Sequence, residues 1–181
     1  IKTITISILA FGLLAGSAIG VAAQDEEAAT DVPAGSSYFT GTYTPVGPPD
    51  VMGSESPDLA GIPHALGEVR VGETIETSDL RVSGSLSRVN NWVERAPGLY
   101  EEAISWRLEN EGGSWTGQGT SLVHSVPDSE PSNFKTMVLS GEGGYDGLTA
   151  VVLVDGTQNP YAVEGAVIAG ELLPFPEPPA E

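Results

Sequence analysis

From Ala65 onward the chain is a succession of short segments rich in Val, Leu, Thr, Trp and Tyr, each closed by a cluster of Gly, Asn, Asp or Pro. No window carries a sustained 3.6-residue apolar repeat, so no amphipathic helix of useful length is expected. Many short strands at regular spacing point to an all-β sandwich or barrel. Strands are expected at Tyr38–Thr44, Glu68–Ile75, Leu80–Val93, Leu99–Glu109, Ser114–His124, Phe134–Gly141, Leu148–Asp155 and Tyr161–Leu172. The clearest hairpin joins Leu99–Glu109 to Ser114–His124 through Asn110-Glu111-Gly112-Gly113.

Period-two alternation assigns the faces. Along Leu99–Glu109 one face holds Tyr100, Glu102, Ile104, Trp106 and Leu108, which is the face to bury, and it carries one carboxylate. In Ser114–His124 the matching face holds Trp115, Gly117, Gly119, Ser121 and Val123. Glycines inside a strand permit the sharp coiling with which small barrels turn their corners.

The stretches outside the strands divide the chain. Lys2, an apolar run from Ile4 to Ile19 and Val21-Ala22-Ala23 before Gln24-Asp25-Glu26-Glu27 describe a secretory signal peptide, 1–23, cleaved after Ala23. No cysteine follows Ala23, which excludes a lipid-anchored bacterial lipoprotein, and no second apolar run offers a membrane span in the mature chain. Residues 24–37 are acidic and non-periodic and read as a disordered spacer. The β domain is 38–172, with a long Pro/Gly loop at 45–63 that is neither helix nor central strand. A Pro-rich tail, 173–181, has no core to join. The expected location is therefore outside the cytoplasm, extracellular or periplasmic.

Charge and cysteine content exclude further classes. The formal net charge is −18, with 25 acidic residues against seven basic ones. Such a field repels nucleic-acid phosphates and anionic membrane surfaces. It reads either as solubility for an exported protein or as adaptation to high salt. With no cysteine there is no disulfide staple, and packing alone must hold the fold.

Four stretches resemble a known group: RVSGSL (Arg81–Leu86), ENEGGSWTGQGT (Glu109–Thr120), LSGEGGYDGLTAVV (Leu139–Val152) and VEGAVIAGELLP (Val163–Pro174). They look like secreted bacterial proteins of unknown function with a GxWxG-type strand and a Gly-rich aromatic turn. That turn, Gly141, Gly143, Gly144, Tyr145 and Gly147, is also similar to one in the allene oxide cyclase and dirigent barrels. The resemblance covers Leu80–Leu172. It implies a single antiparallel up-and-down β-barrel of about eight strands, allene oxide cyclase-like, with an apolar interior. It implies neither cyclase nor dirigent activity, since the matching residues shape backbone.

Few residues offer chemistry. Two separated histidines, His64 and His124, with no cysteine do not make a zinc site, and no carboxylate loop has calcium spacing, so no metal or cofactor is expected. No Gly-x-Ser-x-Gly occurs. GEGGYDG precedes a strand, whereas a phosphate cradle opens a helix. Glu102 and Asp146 form the one carboxylate pair that a barrel mouth could use as acid and base, and Glu102 is the sole catalytic candidate. Tyr100, Ile104, Trp106 and Trp115 are the candidate ligand-binding residues. The tryptophans either fill the interior or line a cavity, as barrels of this size do one or the other. The expectation is a non-enzymatic barrel that binds a small apolar or amphipathic molecule. The alternatives are a cyclase- or isomerase-type enzyme on such a ligand and an interaction module without a cavity.

Overall fold

The structure is a computed structural model that describes residues 35–125 and 132–172. The expected leader (1–23), the expected tail (173–181) and all but the last three residues of the expected spacer (24–37) lie outside the described residues. Eight strands follow one another: β1 (Ser37–Thr44), β2 (His64–Thr77), β3 (Gly84–Ala96), β4 (Leu99–Asn110), β5 (Gly113–His124), β6 (Ser132–Gly143), β7 (Leu148–Asp155) and β8 (Tyr161–Ala169). Each pairs antiparallel with the next, and β8 returns to β1, closing the ring in up-and-down order. The all-β barrel expected from the sequence is what the chain forms.

The register follows the alternation. Asn110 pairs Gly113 across a two-residue turn, so Tyr100, Glu102, Ile104, Trp106 and Leu108 point inward as a set. Opposite Trp106 and Ile104 stand Gly117 and Gly119. A Cβ on Gly119 would lie 3.1 Å from Trp106 Nε1 and 2.2 Å from the Thr136 carbonyl oxygen, so the large indole sits where its neighbour has no side chain.

Two expected strands are cut short at one end, while β2 begins four residues earlier, at His64, and β3 runs three residues farther, to Ala96. Leu80–Val82 is a single 3-10 turn rather than the start of β3, because the Asp79 carboxylate accepts from the Arg81 backbone N–H and caps it. β8 stops at Ala169 rather than Leu172, where Gly170 takes a φ of 89°.

Loop 45–63 is tied down. β1 pairs β2 only between Gly41–Thr44 and Thr74–Thr77, leaving the first half of β2 without β1. The loop fills that gap: Val51 bridges Val69, Ser54 bridges Leu66, and Asp50 Oδ2 accepts from the Val71 N–H. Its one helical element is a 3-10 turn at Pro57–Leu59.

The two ends of the barrel differ. At the end where β4 turns into β5 and β6 into β7, Trp115 stacks on Tyr145 with ring centroids 5.1 Å apart. Trp115 Nε1 donates to the Arg81 carbonyl at 2.7 Å, and the Tyr145 hydroxyl donates to Asn110 Oδ1 at 2.6 Å. Leu86, Leu108, Leu139, Ala150, Val167 and Val82 fill this end completely. It is an apolar floor. The same end is clasped from outside by Asp79, which pairs with Arg81 at 2.7 Å and accepts from Ser37 Oγ. These hydrogen bonds hold the Asp79 carboxyl at about 2, below its usual range.

Candidate binding site inside the barrel

Above the apolar floor the barrel wall turns polar, because β2 and β3 send charged residues inward. Arg88 alternates with Leu86, and Asn90 with Trp92, so the same face of β3 that builds the floor carries a guanidinium and an amide farther along. In β2 the register shifts between Ala65 and Glu68 and between Arg70 and Glu73, and these irregularities leave Glu68 and Glu73 both buried. The expectation of an apolar interior therefore holds for the floor and for Ile104, Met137, Val152, Val154 and Val163 above it, and fails where β2 and β3 carry Glu68, Glu73, Arg88 and Asn90. Alternation along RVSGSLSRVNNW sets Arg88 and Asn90 on the face of Leu86 and Trp92, so the strand's own period carries them inward.

Arg88 Nε donates to Glu73 Oε2 at 2.9 Å, and the guanidinium lies over the Trp106 ring at 5.7 Å. Glu68 collects three donors: Arg70 Nε at 2.9 Å, Trp92 Nε1 at 3.1 Å and Asn90 Nδ2 at 3.3 Å. One ladder level across the barrel reads Trp92, Glu102, Ser121, Lys135, Val154 and Val163. On it Lys135 Nζ stands 3.4 Å from Glu102 Oε2, and next to it Ser121 Oγ bonds Asn133 Oδ1 at 2.7 Å.

Five buried polar atoms of this region have no hydrogen-bond partner: the Tyr43 hydroxyl, Glu73 Oε1, Arg88 Nη1, Asn90 Oδ1 and Trp106 Nε1. A buried polar group without a partner costs about 1–3 kcal/mol, and native proteins leave few of them. Here they occur together. Glu73 and Arg88 form one ion pair, Tyr43 meets Trp106 edge-on at 6.2 Å, and Trp106 lies under Arg88. Three of the atoms can donate and two accept, with the Tyr43 hydroxyl able to do either.

The electrostatics bind these groups into one cluster. Burial pushes the Tyr43 phenol far above its usual value, opposed by the charge of Arg88 and reinforced by Glu73. Burial would lower the Arg88 guanidinium, but Tyr43, Glu73 and Glu102 hold it above its ordinary value. Burial pulls the Lys135 amine down to about 8, with Glu102 opposing and Arg88 adding to the fall.

The four candidate ligand-binding residues do not converge on one point. Ile104 and Trp106 are buried beside the polar cluster. Tyr100 is half-buried at the far end of β4, edge-on to Trp92 at 5.7 Å. Trp115 belongs to the floor. Depressions of about 520 and 590 Å³ lie along the outer wall, lined by residues such as Val89, Gln118 and Val138 or Phe134, Leu153 and Glu164, and neither touches a tryptophan. Asp146 is exposed in the β6–β7 turn at the floor end, whereas Glu102 sits at the Lys135 level. The expected carboxylate pair does not form. Glu102 pairs instead with the amine of Lys135.

His64 takes the Ser56 N–H on Nε2 and faces the Ile62 carbonyl through Nδ1, both at 2.6 Å, so its ring serves the loop. Among the described residues no group of three or more His, Asp or Glu is placed to hold a metal, and no helix is long and apolar enough to cross a membrane. No protein-family model matches this chain, and no curated protein or solved structure does either.

Proposed function

We propose that this is an exported carrier whose barrel binds one small amphipathic molecule, apolar body against Ile104, Met137 and Val152 and neutral polar head on the Glu73–Arg88 cluster. One observation carries the reading: among the described residues, the five buried side-chain polar atoms without partners gather in one region. A hydroxyl or carbonyl head would complete several of them at once.

Charge favours a neutral head over an ionic one. Arg70, Arg88 and Lys135 face Glu68, Glu73 and Glu102, so the formal charges balance, and a lysine near its titration point tips the balance negative. A carboxylate would enter against that field. Export rests on the leader-like start at Lys2–Ala23, and the resemblance of the GEGGYDGLT turn to that of the allene oxide cyclase barrels bears on the shape of the barrel rather than on its ligand.

Titration of the full chain with decanol and with a naphthol, followed by tryptophan fluorescence, tests the reading. Saturable binding is expected, weaker with decanoate, and its signal should be largely lost in Trp106→Phe. Failure of every neutral probe to saturate, or preference for decanoate, would overturn it.

A further inference from the structure

We propose that Lys135 is a covalent attachment point for a small aldehyde or ketone, held as an imine on Nζ with Glu102 as its acid–base partner. The proposal rests on the carrier reading and narrows its ligand to carbonyl compounds.

Cation placement in this chain is selective. The seven basic residues comprise five arginines and the lysines Lys2 and Lys135. Four of the five arginines are paired with carboxylates at positions that are at least partly exposed, and Arg88, the fifth, is sealed in its ion pair with Glu73. Lys135 is the only lysine among the described residues, and its side chain is 1 % exposed. A guanidinium would satisfy a carboxylate better at such a site, because it is planar, multidentate and more weakly hydrated. What an amine offers and a guanidinium does not is a neutral, nucleophilic form at accessible pH.

The geometry around the amine fits that use. At 3.4 Å the contact to Glu102 is longer than the 2.7–2.9 Å typical of a charge-assisted hydrogen bond, and it is the only described side-chain bond that Lys135 makes. Buried amines are thus weakly compensated as ammonium ions here, and the lowered titration point agrees. Arg88 and Glu73 also act on this amine through their charges, so its surroundings are polar as well as buried.

The reaction balances without an oxidant or reductant. The Nζ lone pair attacks the carbonyl carbon, forming the C–N bond while the C=O π pair moves to oxygen. Glu102 takes a proton from the nitrogen and returns it to that oxygen. Loss of water from the resulting carbinolamine, with the second nitrogen proton leaving in that water, gives the imine. The net change is amine plus carbonyl to imine plus water.

Decanal and cyanoborohydride added to the full chain would trap the imine as a stable secondary amine, located by peptide mass mapping. Modification is expected at Lys135, favoured about tenfold or more over Lys2, since a titration point near 8 raises the neutral fraction at neutral pH well above that of an ordinary lysine. Lys135→Arg should lose the adduct, and Glu102→Gln should slow its formation. Saturable decanol binding with no Lys135 adduct would overturn the imine and leave the carrier standing. Loss of both would overturn both.

Discussion

Arg88 Nε donates to Glu73 Oε2 at 2.9 Å with the two side chains 7 % and 0 % exposed, an ion pair sealed inside a β-barrel. Taking both charges from water is expensive, and the pair leaves Glu73 Oε1 and Arg88 Nη1 without partners. Apolar residues of similar volume would hold this position as well or better. On the carrier proposal the pair is kept for what it offers a ligand rather than for stability.

That argument predicts an asymmetric response to mutation. Arg88→Met or Glu73→Leu alone should destabilise the fold by about 3–5 kcal/mol, because each strands a buried charge. The double variant should recover most of that loss in urea denaturation and bind decanol far more weakly. A double variant as unstable as the singles would show the pair to be structural.

The floor makes a separate prediction. Tyr145→Phe removes the hydroxyl bond to Asn110 but keeps the stack on Trp115, and should lower stability by about 1 kcal/mol. Trp115→Ala empties a fully buried site and should lower it by about 3–5 kcal/mol. Neither reaches the Lys135 level, so decanol affinity of the folded Tyr145→Phe protein should be unchanged. A large change in affinity would contradict the division into floor and site.

How much of this was legible in the sequence differs by strand. In β4 and β5 alternation is clean and the hairpin turn is short, so register, inner face and the burial of Trp106 and Trp115 all follow from Leu99–His124 alone. In β2 the two register shifts break the period, and nothing local marks Glu68 or Glu73 as buried. Lys135 shares a face with Met137 and Leu139, a lysine on an apolar stripe, which is a signal that alternation could have found. Its partner Glu102 was visible, but their meeting depends on β4, β5 and β6 aligning in register, which is a property of the closed sheet.

The glycine turn offers a test of strain without crowding. Gly143 and Gly147 have φ values of 68° and 77°, and a Cβ on Gly147 would touch nothing within 4 Å. Gly147→Val should still destabilise by about 1–3 kcal/mol, since the cost is backbone conformation alone. Gly47→Ala, also in open space but without positive φ, serves as the control and should be neutral. Equal stability of wild type and Gly147→Val in thermal unfolding would show that the turn can adopt another conformation.

The last prediction concerns pH. Lys135 titrates at about 8 in the fold against 10.5 unperturbed, because burial outweighs the attraction of Glu102. Between those values the unfolded chain binds more protons than the folded one, so this group's contribution to stability rises with pH across the interval. Below about pH 8 the penalty of the buried ammonium is fully present. Tyr43, whose phenol is raised by burial, works in the opposite direction once an ordinary tyrosine begins to ionise near 10. Glu73, Arg88 and Glu102 also face the amine. All four remain in Lys135→Met, so the difference in unfolding free energy between wild type and that variant isolates the lysine. That difference should shift in favour of the wild type from pH 8 to pH 10. A flat difference, or one that shifts the other way, would mean that Glu102 holds the ammonium firmly, and the amine would then lack the neutral form on which imine chemistry depends.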